Sequence, residues 1–211
     1  MAVDPQTILG WLRRLARLDT SVFDDIRGNP TSTIPAVIVV SVAILLSGIG
    51  GWLWWMVKDL PESGDVLLKS AVIGSLLAIA IWHIVWLGIV YILLTQFFRE
   101  RVFLEQLLRV MGVSMSPLAL GVLMWVPEIS FAIGIATLVL AFGLSVIAIQ
   151  RVTTADAARV LVSSFAGFVV WASVLTLLAS STNQYAPGVF LFDVPAETAA
   201  DLFEARDLVG D

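Results

Sequence analysis

The sequence predicts an all-α membrane protein, a polytopic bundle of five transmembrane helices with the N-terminus in the cytoplasm and the C-terminus outside. Two observations carry that prediction. Of 211 residues only 12 are Lys or Arg and 17 Asp or Glu, well under the quarter expected of a soluble domain, and mean hydropathy is +0.95. The charges are also segregated, with none in positions 28–57, 70–98, 110–127, 129–150 and 160–192. Apolar runs of about 18 residues or more, bounded by charge, are membrane helices, because only a helix satisfies its own backbone in hydrocarbon. The chain divides into a cytoplasmic amphipathic segment (1–30), a five-span membrane domain (31–181) and an acidic extracytoplasmic tail (182–211).

The first element is amphipathic. Ile8, Trp11, Leu12, Leu15 and Leu18 recur at steps of three and four while Arg13, Arg14 and Arg17 fill the other face. This suits a helix lying in the headgroup region of an anionic leaflet, or one that docks a partner. From Phe23 to Pro35 the chain reads as a short helix, a turn and an entry into the bilayer. Ser21 with Asp24 has capping-box spacing, Gly28 is a stop, and Thr33 caps the first span.

The spans are expected at 33–57, 70–98, 110–126, 129–150 and 160–180. Their orientation follows from the loops, because Lys and Arg are retained on the cytoplasmic side. Nine (Arg13, Arg14, Arg17, Arg27, Arg99, Arg101, Arg109, Arg151, Arg159) lie on the N-terminal side, against Lys58, Lys69 and Arg206 opposite. Trp52, Trp54, Trp55 and Trp125 then sit at the outer interface as an aromatic belt. The loop from Arg99 to Arg109 keeps helical spacing and is expected to run into span three, skimming the surface on Val102, Phe103 and Leu107. Pro127 makes a tight turn between spans three and four. Thr153 with Asp156 resembles a capping box before span five.

These pieces in this order resemble the Yip family of five-span membrane proteins, in its prokaryotic branch. The resemblance rests on Asp25-Ile26-Arg27-Gly28-Asn29-Pro30 before span one, and on Phe103-Leu104-Glu105-Gln106-Leu107-Leu108-Arg109-Val110-Met111-Gly112 leading to Ser116-Pro117. The Val126-Pro127 turn and Thr153-Thr154-Ala155-Asp156-Ala157-Ala158 before span five complete it. It implies a helical membrane domain, a cytoplasmic N-terminus and work done by contact. Eukaryotic members contact prenylated Rab GTPases, but no Tyr-Gly-Pro motif precedes span one here, so that contact is not carried over.

Charged groups at membrane depth are costly and mark catalysis or ion coupling. The expected spans hold none except Glu128, at the rim beside Pro127. That argues against proton- or sodium-coupled transport and intramembrane aspartyl proteolysis, and the protein is expected not to be an enzyme. With no cysteine and one histidine, disulfide frameworks and metal-ligand clusters fall too.

The lone His83 lies near the middle of span two between Trp82 and Trp86. It could ligate a haem or chlorophyll-type pigment, with the tryptophans against the macrocycle. Alternatively it faces the bundle and bonds to a Ser, Thr or carbonyl of another span. Pro117 should kink span three, as a hinge or merely as shape. Small residues at four-residue spacing mark helix seams within this chain or with a partner: Ala43, Ser47 and Gly51; Gly112 and Ser116; Thr137, Ala141 and Ser145; Ser163 and Gly167.

In the tail, Val189-Phe190-Leu191-Phe192 is apolar and lies outside the last span. The following acidic helix would place Leu202 and Phe203 on an apolar side, so that Phe190, Phe192, Leu202 and Phe203 are candidate contacts. Expected partners are the lipid bilayer and other membrane-protein subunits, not nucleic acid. The expected role is a scaffold, assembly factor or accessory subunit in the plasma (inner) membrane. The alternatives are a small transporter or lipid-handling protein, and a haem- or pigment-binding subunit.

Overall fold

Five long apolar helices run back and forth in the computed structural model, which describes residues 4–180 and 184–192. The expected contacts Leu202 and Phe203 lie outside the described residues, and so does the Phe192 side chain. Two short helices, α1 (Pro5–Ala16) and α2 (Val22–Gly28), precede the first span. The spans are α3 (Thr33–Val57), α4 (Ser63–Phe97), α5 (Leu104–Trp125), α6 (Ser130–Gln150) and α7 (Ala157–Ala179). No strand occurs among the described residues.

Each difference from the sequence boundaries has a local cause. α4 begins well before Ser70 because Lys69 pairs with Asp65 one turn earlier, at 2.7 Å, so the charges extend the helix instead of ending it. Residues 99–103 are not helical. Arg99 adopts φ +58° and breaks the chain direction, and α5 starts only at Leu104. Val102 and Leu107, expected to skim the membrane, are buried; only Phe103 of that set is exposed. The cap of α7 is Asp156, whose carboxylate accepts the Arg159 N–H at 2.9 Å. α2 has no side-chain cap bond from Ser21, and α3 has Ser32 in the cap position with Thr33 as its first residue.

α5 changes type part-way. Leu104–Ser114 is α-helical, and Ser116–Trp125 continues as a 3-10 helix. Pro117 therefore stands near the start of a narrower, steeper helix. Its missing N–H costs nothing at that position, where the donor would lie outside the bond pattern. The narrower helix lets α5 lie close on α3. A Cβ on Gly50 would strike the Gly121 carbonyl oxygen and stand 2.8 Å from both the Gly121 carbonyl carbon and Val122 Cα.

The seams are contacts within this chain. Gly112 faces the Ala36 backbone, Ser145 and Ser164 share a hydrogen bond of 3.0 Å, and Gly167 seats Trp86. The fully buried side chains, among them Trp82, Trp86, Met111, Met115, Met124 and Leu175, lie between these seams.

After α7 the chain turns back into the bundle. Gln184–Phe192, ending in the 3-10 turn Gly188–Phe192, plugs the end of the bundle opposite α1 and α2. The slot for the plug is made of glycine. A Cβ on Gly74 would meet the Ala186 backbone at 3.0 Å, one on Gly51 the Gly188 oxygen at 2.9 Å, and one on Gly134 the Val189 side chain at 2.7 Å. Gly188 has φ +66°, a conformation open to glycine, and lies against the Ser47 hydroxyl. The Ser70 hydroxyl donates to the Gln184 carbonyl. The apolar stretch read as lying outside the last span is thus part of the bundle: Ala186 and Leu191 are buried.

Candidate functional site

Three places gather polar or ligand-sized features: the middle of α4, the junction of the short helices with the loops, and the cleft beside the plug. In α4 the backbone widens into i to i+5 bonding at Leu67–Gly74, Trp82–Trp86 and Leu93–Phe97, a rare geometry that favours functional or strained positions. His83 lies in the second of these turns. Its Nδ1 is 2.8 Å from the Ile79 carbonyl oxygen of the same helix. As donor to that carbonyl, Nδ1 carries the proton and Nε2 is left as the acceptor. The expected bond to another span is not what holds it.

Trp82 and Trp86 do not form a platform beside His83. Trp82 meets the imidazole edge-on, with ring centres 4.8 Å apart. Trp86 packs on Trp171 at 5.4 Å and Phe168 at 5.2 Å. Both indoles are fully buried, with α7 seated on Trp86, and their N–H groups have no hydrogen-bond partner among the described residues. A macrocycle on His83 would need those faces, and protein already covers them. The tryptophan-flanked macrocycle site expected from the sequence is therefore not formed.

At the α1 end the ionic groups are spent on structure. Arg14 pairs with Asp19 at 2.7 Å and Asp25 at 2.6 Å. Asp19 is held down at about 2, first by the Ser21 hydroxyl and then by Arg14. Arg14 is raised in turn, chiefly by Asp25. Asp24 accepts from Arg151 at 3.1 Å, and Arg27 donates to the Arg151 carbonyl. Arg109 is 5% exposed. Its guanidinium donates to the Thr33 hydroxyl at 2.7 Å, the Arg27 carbonyl at 3.0 Å and Glu105 at 3.1 Å. It binds the end of α2 to the beginnings of α3 and α5.

Trp11, at 8% exposure, joins Leu15, Val22, Phe23 and Ile26 in the buried cluster. It faces protein and not the headgroups, because α1 folds back on α2. Arg13 and Arg17 point out to solvent or headgroups.

The third place is a cleft between α6 and α7. It is lined by Phe131, Ile135 and Leu138 on α6, Thr176 and Ala179 on α7, and Val189 and Phe190 of the plug, with a volume of about 350 Å³. Behind it, past Leu138, Val189 and Phe190, a void of about 20 Å³ reaches Ser47, Thr137, Trp171 and Leu175. Phe190 meets Trp171 edge-on at 6.0 Å. Its polar groups are already engaged: Thr137 donates to Gly134 and Thr176 to Ala172, both at 2.9 Å, and the Trp171 indole to Ala78 at 3.2 Å. Among the described residues the cleft is lined by no charged group.

The family model described as Yip1 domain matches residues 19–182. The chain belongs to the Yip family. The match covers α2 and all five spans and ends before the plug. No curated protein and no solved structure matches the chain.

The plug is what sequence reasoning missed. Its signal is the surplus of glycine at one end of the bundle (Gly48, Gly51, Gly74, Gly134) together with Ala186-Pro187-Gly188 just beyond the last apolar run. Each is ordinary alone.

Proposed function

We propose that this Yip-family protein catalyses no reaction and works through protein or lipid contacts, as a scaffold, assembly factor or accessory subunit of a larger complex in the plasma (inner) membrane, its N-terminus cytoplasmic. The outward surface of α4 carries this reading. Only 28% of the most apolar stretch of α4 is buried, and Leu68, Leu76, Ile84 and Ile92 are exposed along its length. Inside the bundle, bonds between helices such as Trp171 to the Ala78 carbonyl and Ser145 with Ser164 hold the spans together. The helix therefore offers neighbours an apolar surface on a rigid backing. Solubilisation in mild detergent followed by native mass analysis tests this. A reproducible partner lost on the double substitution Leu76→Trp and Ile84→Trp is the expected result. An isolated monomer with no reproducible partner would count against it.

A second reading, a small transporter or lipid-handling protein, is favoured by the cleft beside the plug. Flux through reconstituted vesicles that falls on Pro117→Ala would support transport.

A further inference from the structure

We propose that the cleft between α6, α7 and the plug is a binding site for one hydrocarbon chain of a bilayer lipid, drawn from the leaflet at the plug end of the bundle. This rests on the lipid-contact part of the reading above and names its ligand class. The cleft opens on a surface already given over to the bilayer: Phe131 is 62% and Ile135 42% exposed on a membrane-spanning helix. An apolar opening on a membrane-spanning helix meets acyl chains, so hydrocarbon is the ligand class it fits.

Three features distinguish it from the ordinary roughness of a helix exterior. Its volume of about 350 Å³ falls in the range of small-molecule sites, roughly 300–1,000 Å³. The polar side chain that lines it, Thr176, already donates to the Ala172 carbonyl, so an apolar chain strands no donor there. Its inner wall is a segment from outside the spans. Val189 and Phe190 are held in place by Gly134 on one side and Trp171 on the other. A chain in the cleft therefore lies against the plug and favours the docked plug over an undocked one, by its differential affinity for the two.

The ligand chemistry is an acyl chain of a bilayer lipid. The void of about 20 Å³ beyond Leu138, Val189 and Phe190 is a separate space, so the chain lies in the outer cleft.

The test uses the full chain reconstituted in phosphatidylcholine vesicles. These are doped with a phosphatidylethanolamine that carries a photoactivatable diazirine near the end of one acyl chain. Peptide mapping after illumination should find labelling concentrated on 131–138, 176–179 and 189–190, at least about tenfold above the exposed α4 residues Leu76 and Ile84. Ile135→Trp and, separately, Thr176→Phe fill the cleft from opposite walls and should each remove most of that excess. Val139→Trp, an equal enlargement at an exposed α6 position that does not line the cleft, should leave it.

Labelling spread evenly over α4, α6 and α7, or an excess that survives both filling variants in folded protein, would overturn the proposal. The outcome is separable from the partner experiment. A monomer without partners that is labelled in the cleft sustains this site and defeats the scaffold reading, and a partnered protein without cleft labelling does the reverse.

Discussion

Replacing Gly50 with Ala tests how closely α3 and α5 approach. The added methyl would strike the Gly121 carbonyl oxygen, with the Gly121 carbonyl carbon and Val122 Cα at 2.8 Å. All three are backbone atoms, so no rotamer change relieves the clash and the two helices must move apart. Overpacking costs about 1–3 kcal/mol, occasionally more, and a backbone obstacle places this case at the upper end. Exchanging Gly for Ala inside a helix returns up to about 1 kcal/mol. The net loss is about 2 kcal/mol, or close to thirtyfold in the folding equilibrium at tenfold per 1.4 kcal/mol. Gly143→Ala is the matched control, because a Cβ there meets nothing within 4 Å, and it should stay within about 1 kcal/mol of wild type. Unfolding in mixed micelles by dodecyl sulfate, followed by tryptophan fluorescence, reads both. Equal midpoints for the two variants would refute the close approach of these helices.

Other predictions concern the two ends of the bundle and its middle. Arg109→Met removes the hydrogen bonds to the Thr33 hydroxyl, the Arg27 carbonyl and Glu105, leaving Thr33 only its bond to the Pro30 carbonyl, and should cost about 1–3 kcal/mol, read as earlier proteolysis of the α1–α2 region at unchanged helix content. Asp19 is bound at about 2 in the folded chain, below its unfolded value of about 3.9. The unfolded state thus takes up the proton first, and its contribution is full above about pH 4 and lost as pH falls toward 2. Asp19→Asn should abolish that acid dependence of hydrogen exchange in the turn between α1 and α2. An absorption scan of purified protein should show no Soret or long-wave pigment band, and a band removed by His83→Ala would restore the cofactor role. The chain has no cysteine, so Gln6→Cys and Glu128→Cys, labelled from outside intact cells, test the orientation. Glu128→Cys should react and Gln6→Cys should not.

What the sequence discloses follows from how severe each constraint is. Hydrocarbon tolerates no loose backbone and few charges, so five spans stand out in the charge pattern alone and their ends fall within several residues of the helices observed. Where the outcome depends on packing, the pattern is silent. Pro117 announces a disturbance, but whether it kinks an α-helix or opens a 3-10 helix is decided across the interface, by Gly50, Gly121 and Ser47. His83 stands beside Trp82 and Trp86 on a regular helical wheel, yet wide turns in α4 re-space them and send both tryptophans inward. Trp11 shows the same limit: its spacing identifies an apolar face and not what covers it. The plug was least legible, since an apolar tetrapeptide beyond a span gives no hint that glycines about 55 to 140 positions earlier hold a place for it.

The glycine slot also sets an order of events. Gln184–Phe192 leaves the ribosome after all five spans, yet it fills space bounded by α3, α4 and α6. Until it arrives, the walls at Gly48, Gly51, Gly74 and Gly134 face a gap, and the Ser47 and Ser70 hydroxyls lack their neighbours from the plug. Insertion into the bilayer and completion of the bundle are therefore separate stages. In the interval between them the newly made protein is membrane-integrated but unfinished at one end.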